Sequence, residues 1–75
     1  MNFYNWMIQN YINDRSTTGA VARLMNANKK MFRRARGYTK NRNNFEQLTS
    51  RQDYYDAFDR AWGVYRNLWL QNPNA

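Results

Sequence analysis

The chain has 75 residues, enough for one small domain, and its 12 Lys and Arg outnumber five Asp and Glu for a formal net charge of +7. It contains neither Cys nor His, which excludes disulfides, thiolate metal sites and catalytic arrangements that need either residue. Aromatic side chains make up 17% of the chain and supply large apolar surfaces to a thin core. We expect residues 1–75 to fold as a single helical domain.

Apolar residues at helical spacing predict a first amphipathic helix over residues 3–12. Its apolar face holds Phe3, Trp6, Met7 and Tyr11. Three candidate N-caps follow, namely Ser16, Thr17 and Thr18, and a second helix should begin there. Gly37 tolerates the left-handed backbone of a helix C-terminus, so the local sequence lets this second helix continue to Arg36.

The polar stretch over residues 39–44 predicts a connection, and Phe45 with Leu48 predicts one short third helix after it. Thr49 and Ser50 offer caps for a last helix. Its broad apolar stripe consists of Tyr54, Phe58, Ala61, Trp62, Tyr65 and Trp69. No strand-like alternation is present. The sequence therefore predicts an all-α fold, a compact four-helix bundle with a short third helix.

Both ends of the chain resemble the YozE-like family, small bacterial proteins with a sterile-alpha-motif-like (SAM-like) helical fold. The resemblance rests on residues 3–7, Phe-Tyr-Asn-Trp-Met, and most specifically on the pattern Phe58-Asp59-x-Ala61-Trp62-x-x-Tyr65. It implies a single SAM-like domain and no catalytic residues, since the family has no established activity. Such proteins are often acidic, whereas this chain is basic. They also tend to have Pro where this chain has Arg33, which implies a second helix that ends near Lys30.

A stretch without any acid runs from Arg15 to Asn44 and contains nine Lys and Arg residues. Such a segment favours phosphate backbones through counterion release and through the fork geometry of Arg. We expect a nucleic-acid site made of Arg23, Lys29, Lys30, Arg33, Arg34, Arg36, Lys40 and Arg42, with Tyr38 near enough to stack on a base. An acidic protein partner, or a charged face that only keeps the protein soluble, would give the same composition.

The aromatic residues near both ends favour a hydrophobic core over a stacking platform, because they recur at helical spacing. Those residues are Phe3, Trp6, Tyr11, Phe58, Trp62, Tyr65 and Trp69. Near the chain end, Trp69 and Leu70 are candidates for partial exposure and weak self-association.

Three acids on the last helix, Asp53, Asp56 and Asp59, form the remaining candidate site. Carboxylates at this spacing suit a divalent cation or paired acid–base chemistry, but they also suit a helix N-terminus and ion pairs with Arg60 or Arg66. The structural role is the better interpretation, because no nucleophile, base or phosphate loop accompanies them. We expect a non-enzymatic cytoplasmic protein without cofactor, metal, membrane span or small-molecule substrate.

Overall fold

The computed structural model describes the backbone of residues 2–71 and the side chains of residues 2–68. Within that range there are helices and no strands, which confirms the predicted all-α class. The helices are α1 (Phe3–Tyr11), α2 (Thr17–Ala27), α3 (Lys29–Phe32), α4 (Gly37–Glu46) and α5 (Gln52–Gln71). The radius of gyration is 11.5 Å, close to the value of about 11 Å for a compact chain of this length. None of the helices in residues 2–71 has the length and apolar character needed to cross a membrane.

Side chains cap the first two helices. The Asn2 amide oxygen accepts the backbone N–H of Asn5 at 2.8 Å, and the Ser16 hydroxyl accepts that of Gly19 at 3.1 Å. Each bond satisfies an amide that has no acceptor inside its own helix. Ser16, one of the three predicted caps, is therefore the N-cap of α2.

The middle of the chain differs from the prediction. Helix α2 ends at Ala27, because Asn28 leaves the helical region with φ −124° and ψ 38°. The second helix thus neither runs to Lys30 nor continues to Arg36, and α3 is a separate helix of four residues. The predicted polar connection over residues 39–44 is wrong, since it lies inside α4. Phe45 also belongs to α4, so the four-helix count and the predicted short helix at Phe45 and Leu48 are not confirmed.

A phenylalanine from each of four helices meets in the core. Phe3, Phe32, Phe45 and Phe58 are buried, and the Phe58 ring lies 5.2 Å from that of Phe3 and 4.8 Å from that of Phe45. Helix α2 packs against both α1 and α5 and adds Val21 and Met25 to the core. Burial of such side chains supplies most of the stability of a domain this small, at about 1.5–3 kcal/mol each.

The aromatic residues predicted to form the core do so wherever their side chains are described. Phe3, Trp6 and Phe58 are buried. The half-buried members packed against them are Tyr11, Trp62 and Tyr65. The side chains of Trp69 and Leu70, the predicted self-association residues, lie outside the described residues.

Candidate nucleic-acid interface

Six of the eight predicted site residues lie on one continuous stretch of chain, which we call the basic segment and define as residues 29–40. It comprises α3, the turn after it and the first turn of α4. All six cationic side chains are exposed, and none forms a hydrogen bond or ion pair with any side chain or backbone group of residues 2–68. They are Lys29, Lys30, Arg33, Arg34, Arg36 and Lys40. Their charged groups are therefore available to an external anion.

Four of these cations border two adjoining depressions. Lys30, Arg33 and Arg34 line one of about 340 Å³. Lys29 and Lys30 line the other, of about 310 Å³, together with Ala27, Asn28 and Met31. Lys30 belongs to both, so these four cations occupy one surface. Arg36 precedes the first residue of α4, and Lys40 lies one turn further along that helix.

Asparagine side chains from α4 and from the start of the chain hold the backbone of this segment. The Asn44 amide donates to the carbonyl of Met31 at 2.7 Å, and the Asn2 amide donates to that of Arg33 at 2.8 Å. Phe32, between these two carbonyls, is fully buried. The backbone that carries the cations is thus held at three successive residues, 31 to 33. Sequence reasoning missed this role of asparagine, because Asn2 and Asn44 stand in segments that look like ordinary polar surface.

Gly37 sets the direction of the chain as α4 begins. Its φ of +75° lies in the left-handed region, which glycine adopts without steric cost. The predicted left-handed conformation is present, although Gly37 opens α4 and does not close α2. The amide of Asn41, one turn later, donates to the Gly37 carbonyl at 2.8 Å and supports this turn from within the core.

Arg42, the seventh predicted residue, is tied to the protein itself. Its guanidinium pairs with Asp59 at 3.1 Å and with Glu46 at 3.1 Å, and it lies 4.3 Å from the centre of the Tyr55 ring. Only 17% of its side chain is exposed. Arg42 thus joins α4 to α5 and has little free surface for a phosphate.

Arg23, the eighth predicted residue, is exposed, but its guanidinium already has hydrogen-bond partners within the protein. Its Nη1 atom donates to the carbonyls of Ile12 and Asp14, at 3.2 and 2.7 Å, beyond the end of α1. A guanidinium satisfies carbonyls that have no partner inside a helix. Arg23 therefore fastens the connection between α1 and α2. Four of the predicted cations therefore border the two depressions, Arg36 and Lys40 follow on the same stretch of chain, and Arg23 and Arg42 have structural roles.

Tyr38, the predicted base-stacking residue, has an acidic neighbour. Its hydroxyl donates to Asp59 at 2.6 Å, and this bond raises the pKa of the Tyr38 hydroxyl above its usual range. The ring also packs against Phe58 and Trp62, at 6.3 and 5.7 Å between centroids. Tyr38 belongs to the contact between α4 and α5.

The three acids of α5 are each engaged by a neighbouring side chain. Asp53 pairs with Arg51 at 2.7 Å, and Asp56 accepts the Gln52 amide at 2.9 Å. Asp59 receives Tyr38 and Arg42 and not the predicted Arg60 or Arg66. Among the described residues, no three acids lie close enough together to hold a metal ion.

Together the fold and this surface define a small helical domain with an exposed segment whose cations have no partner among residues 2–68. Comparison with known proteins adds no relative: no family model, no curated protein and no solved structure matches the chain.

Proposed function

We propose that this protein is a non-enzymatic binding module that holds nucleic acid electrostatically through the basic segment. One observation carries the proposal: six exposed cations on residues 29–40 have no partner among the described residues. A surface that serves only solubility is best made of interspersed acids and cations, whereas this segment contains no acid. A phosphate backbone is the ligand that rewards such a cluster most, since each contact releases condensed counterions.

The number of cations that contact phosphates sets how steeply the affinity for DNA falls with salt concentration. Between four and six phosphate contacts correspond to a slope of log K against log salt of about −3.6 to −5.4 on duplex DNA, at roughly −0.9 per contact. Contacts of this kind position a protein on the backbone and carry little sequence information. We therefore expect low sequence preference.

A charge-matched pair of variants tests the proposal. The triple change Lys30→Ala, Arg33→Ala and Arg34→Ala removes three cations from the basic segment. The control is the triple change Arg15→Ala, Arg60→Ala and Arg66→Ala, which removes the same charge at exposed positions outside it.

Fluorescence anisotropy with labelled duplex DNA across a salt series compares the two variants with the parent chain. The basic-segment variant should lose up to about three contacts and flatten the slope by up to 2.7, whereas the control should stay near the parent. Equal losses would mean that net charge alone attracts the DNA. Absence of binding to any nucleic acid at low salt would refute the proposal.

An acidic protein partner is the second candidate, and the depression beside Lys29 favours it. Apolar atoms of Ala27 and Met31 lie next to two lysines there, an arrangement found where a protein interface has an apolar centre and a charged rim. The same pair of variants applies in a pull-down: only the basic-segment variant should lose an acidic partner.

We also propose that the chain is a cytoplasmic SAM-like domain related to the YozE-like family. The motifs at residues 3–7 and 58–65 and the all-helical architecture support this relationship. Six of the buried or half-buried core aromatics fall in those motifs, namely Phe3, Tyr4, Trp6, Phe58, Trp62 and Tyr65. The relationship would therefore be one of fold, with the basic segment as a feature of this chain.

A further inference from the structure

We infer that the basic segment takes double-stranded nucleic acid by its phosphates and does not take single strands by their bases. This inference rests on the proposed function and names the ligand class of the same site. It follows from three properties of the segment: the burial of its aromatic neighbours, the charge beside the ring that is exposed among residues 2–68, and the hydrogen bonds that hold the backbone beneath its cations.

Proteins that bind single strands combine a cationic groove with aromatic side chains on which successive bases stack. Within residues 2–68, Tyr38 is the only aromatic residue that is exposed, and every other aromatic side chain is buried or half-buried. The half-buried rings pack against the core. The one aromatic residue inside α3, Phe32, is fully buried. No platform of two or more rings therefore accompanies the cations in the described part of the chain.

Electrostatics disfavour the use of Tyr38 as a lone stacking ring. Its hydroxyl is bonded to Asp59, whose side chain is 43% exposed, and Arg42 links Asp59 to the half-exposed Glu46. One guanidinium and two carboxylates leave this cluster with net negative charge. A nucleotide that stacked on Tyr38 would bring its phosphate towards those carboxylates. The resulting electrostatic repulsion is stronger near a protein surface than in bulk water, because the effective dielectric constant is lower there. The cluster thus forms an acidic border to the basic segment.

The cations themselves match a stiff, highly charged ligand. Duplex DNA carries one negative charge per about 1.7 Å of axis, about twice the charge density of one strand. Asn44 and Asn2 fix the backbone beneath Lys30, Arg33 and Arg34. A rigid ligand loses little conformational entropy on such a surface, whereas a flexible strand must be ordered at the same time.

Counterion release gives the size of the expected preference. With five contacts, the difference between slopes of about −0.9 and −0.7 per contact amounts to about tenfold in affinity at 0.1 M salt. The preference for the duplex should shrink as the salt concentration rises, because the counterion-release contributions to duplex and to single-strand binding both vanish towards 1 M salt.

The experiment measures anisotropy with a labelled duplex, with one of its separated strands and with duplex RNA of the same sequence, each over a salt series. Both duplexes should bind about tenfold tighter than the strand at 0.1 M salt. The change Tyr38→Leu, which removes the ring, should leave strand affinity within about twofold of the parent, because no base stacks there. Tyr38→Phe, which keeps the ring, is its control, and circular dichroism verifies that both variants are folded.

Two outcomes overturn the inference, and a third separates it from the proposed function. Equal or tighter binding of the single strand would refute it. So would a loss of strand affinity in Tyr38→Leu that Tyr38→Phe does not share. Failure of all three probes to bind would instead refute the proposed function and leave the acidic protein partner as the candidate.

Discussion

Substitution of Gly by Ala should have opposite effects on folding stability at two helical positions. A methyl group added at Gly19, in the first turn of α2, would lie 1.9 Å from the carbonyl oxygen of Asp14 and 2.7 Å from its carbonyl carbon. A methyl group added at Gly63, on the exposed side of α5, would meet no atom within 4 Å. We therefore expect Gly19→Ala to destabilise the protein and Gly63→Ala to stabilise it.

The magnitudes follow from the surroundings of each site. The Asp14 carbonyl accepts a hydrogen bond from Arg23 at 2.7 Å, so a shift of the Asp14 backbone away from the added methyl group would break that bond. Overpacking costs about 1–3 kcal/mol, loss of the Arg23 bond adds about 1 kcal/mol, and the higher helix propensity of Ala returns about 1 kcal/mol. The net loss at Gly19 is about 2 kcal/mol. At Gly63 only the propensity gain of about 1 kcal/mol remains.

Thermal and urea unfolding, followed by circular dichroism, measure both variants against the parent chain. A separation of about 3 kcal/mol between them corresponds to Tm values at least 12 °C apart, at about 4–8 °C per kcal/mol for a domain of this size. If Gly19→Ala proved as stable as Gly63→Ala, the close approach of the α1–α2 connection to α2 would be refuted.

Three further predictions concern single residues of α4. Asn44→Ala should cost about 1–3 kcal/mol in urea unfolding, because the partly buried Met31 carbonyl loses its donor; Asn44→Asp, which keeps the shape but has no N–H to donate, should not restore the stability. Gly37→Ala should cost about 1 kcal/mol or more in the same assay, since φ +75° is strained for any residue with a Cβ. The hydrogen bond to Asp59 raises the pKa of the Tyr38 hydroxyl in the folded state. The contribution of this bond to folding stability is therefore complete below the ordinary tyrosine pKa of 10.0 and is lost as pH rises through the raised folded-state pKa. Stability should therefore fall less between pH 9 and 11 in Tyr38→Phe than in the parent chain, and an equal fall would contradict the bond.

The helical class and most of the core could be predicted from the sequence, because α1, α2 and α5 place large apolar residues on one face. The helical spacing of residues such as Phe3, Phe58 and Trp62 is enough to predict the core-facing sides of α1 and α5. The caps were predictable in part for the same reason: Ser16 stands just before an apolar run.

Helix α4 escaped prediction because polar residues occupy its inward positions. Asn41 and Asn44 are buried and lie on the same side as Phe45, so the apolar periodicity is interrupted where the helix faces the core. The boundary between α2 and α3 was hidden for a related reason. Asn28 ends α2 through its own backbone angles and through the hydrogen bond that its side-chain amide donates to the Leu24 carbonyl at 3.0 Å. No pattern of hydrophobicity records either feature.

The candidate site was predictable as composition and not as geometry. Counting charges selected eight cations, but only tertiary contacts reveal that Arg23 bonds to the carbonyls of Ile12 and Asp14 and that Arg42 pairs with Asp59. Asp59 lies 17 residues from Arg42 in sequence, beyond the reach of any helix-spacing rule. A stretch free of acids in the sequence can thus border acids in space.

Six like charges on twelve residues also have a cost for the fold, and salt should reveal it. The cations of the basic segment repel one another and have no intramolecular partner among the described residues, while Asn44 and Asn2 hold their backbone in place. Like-charged neighbours destabilise by about 0.2–0.5 kcal/mol per pair, and screening shortens from about 10 Å at 0.1 M salt to 3 Å at 1 M.

The triple change Lys30→Ala, Arg33→Ala and Arg34→Ala should therefore stabilise the protein by about 0.5–1 kcal/mol at low salt. The gain should shrink at 1 M salt as screening removes the repulsion. The control triple at Arg15, Arg60 and Arg66 should gain less, because those charges are dispersed along the chain. Urea unfolding of the parent chain and both variants at low salt and at 1 M salt measures these differences in the free energy of unfolding. A basic-segment variant that is less stable than the parent at low salt would mean that these side chains support the fold, and would remove the reason to assign them to an external anion.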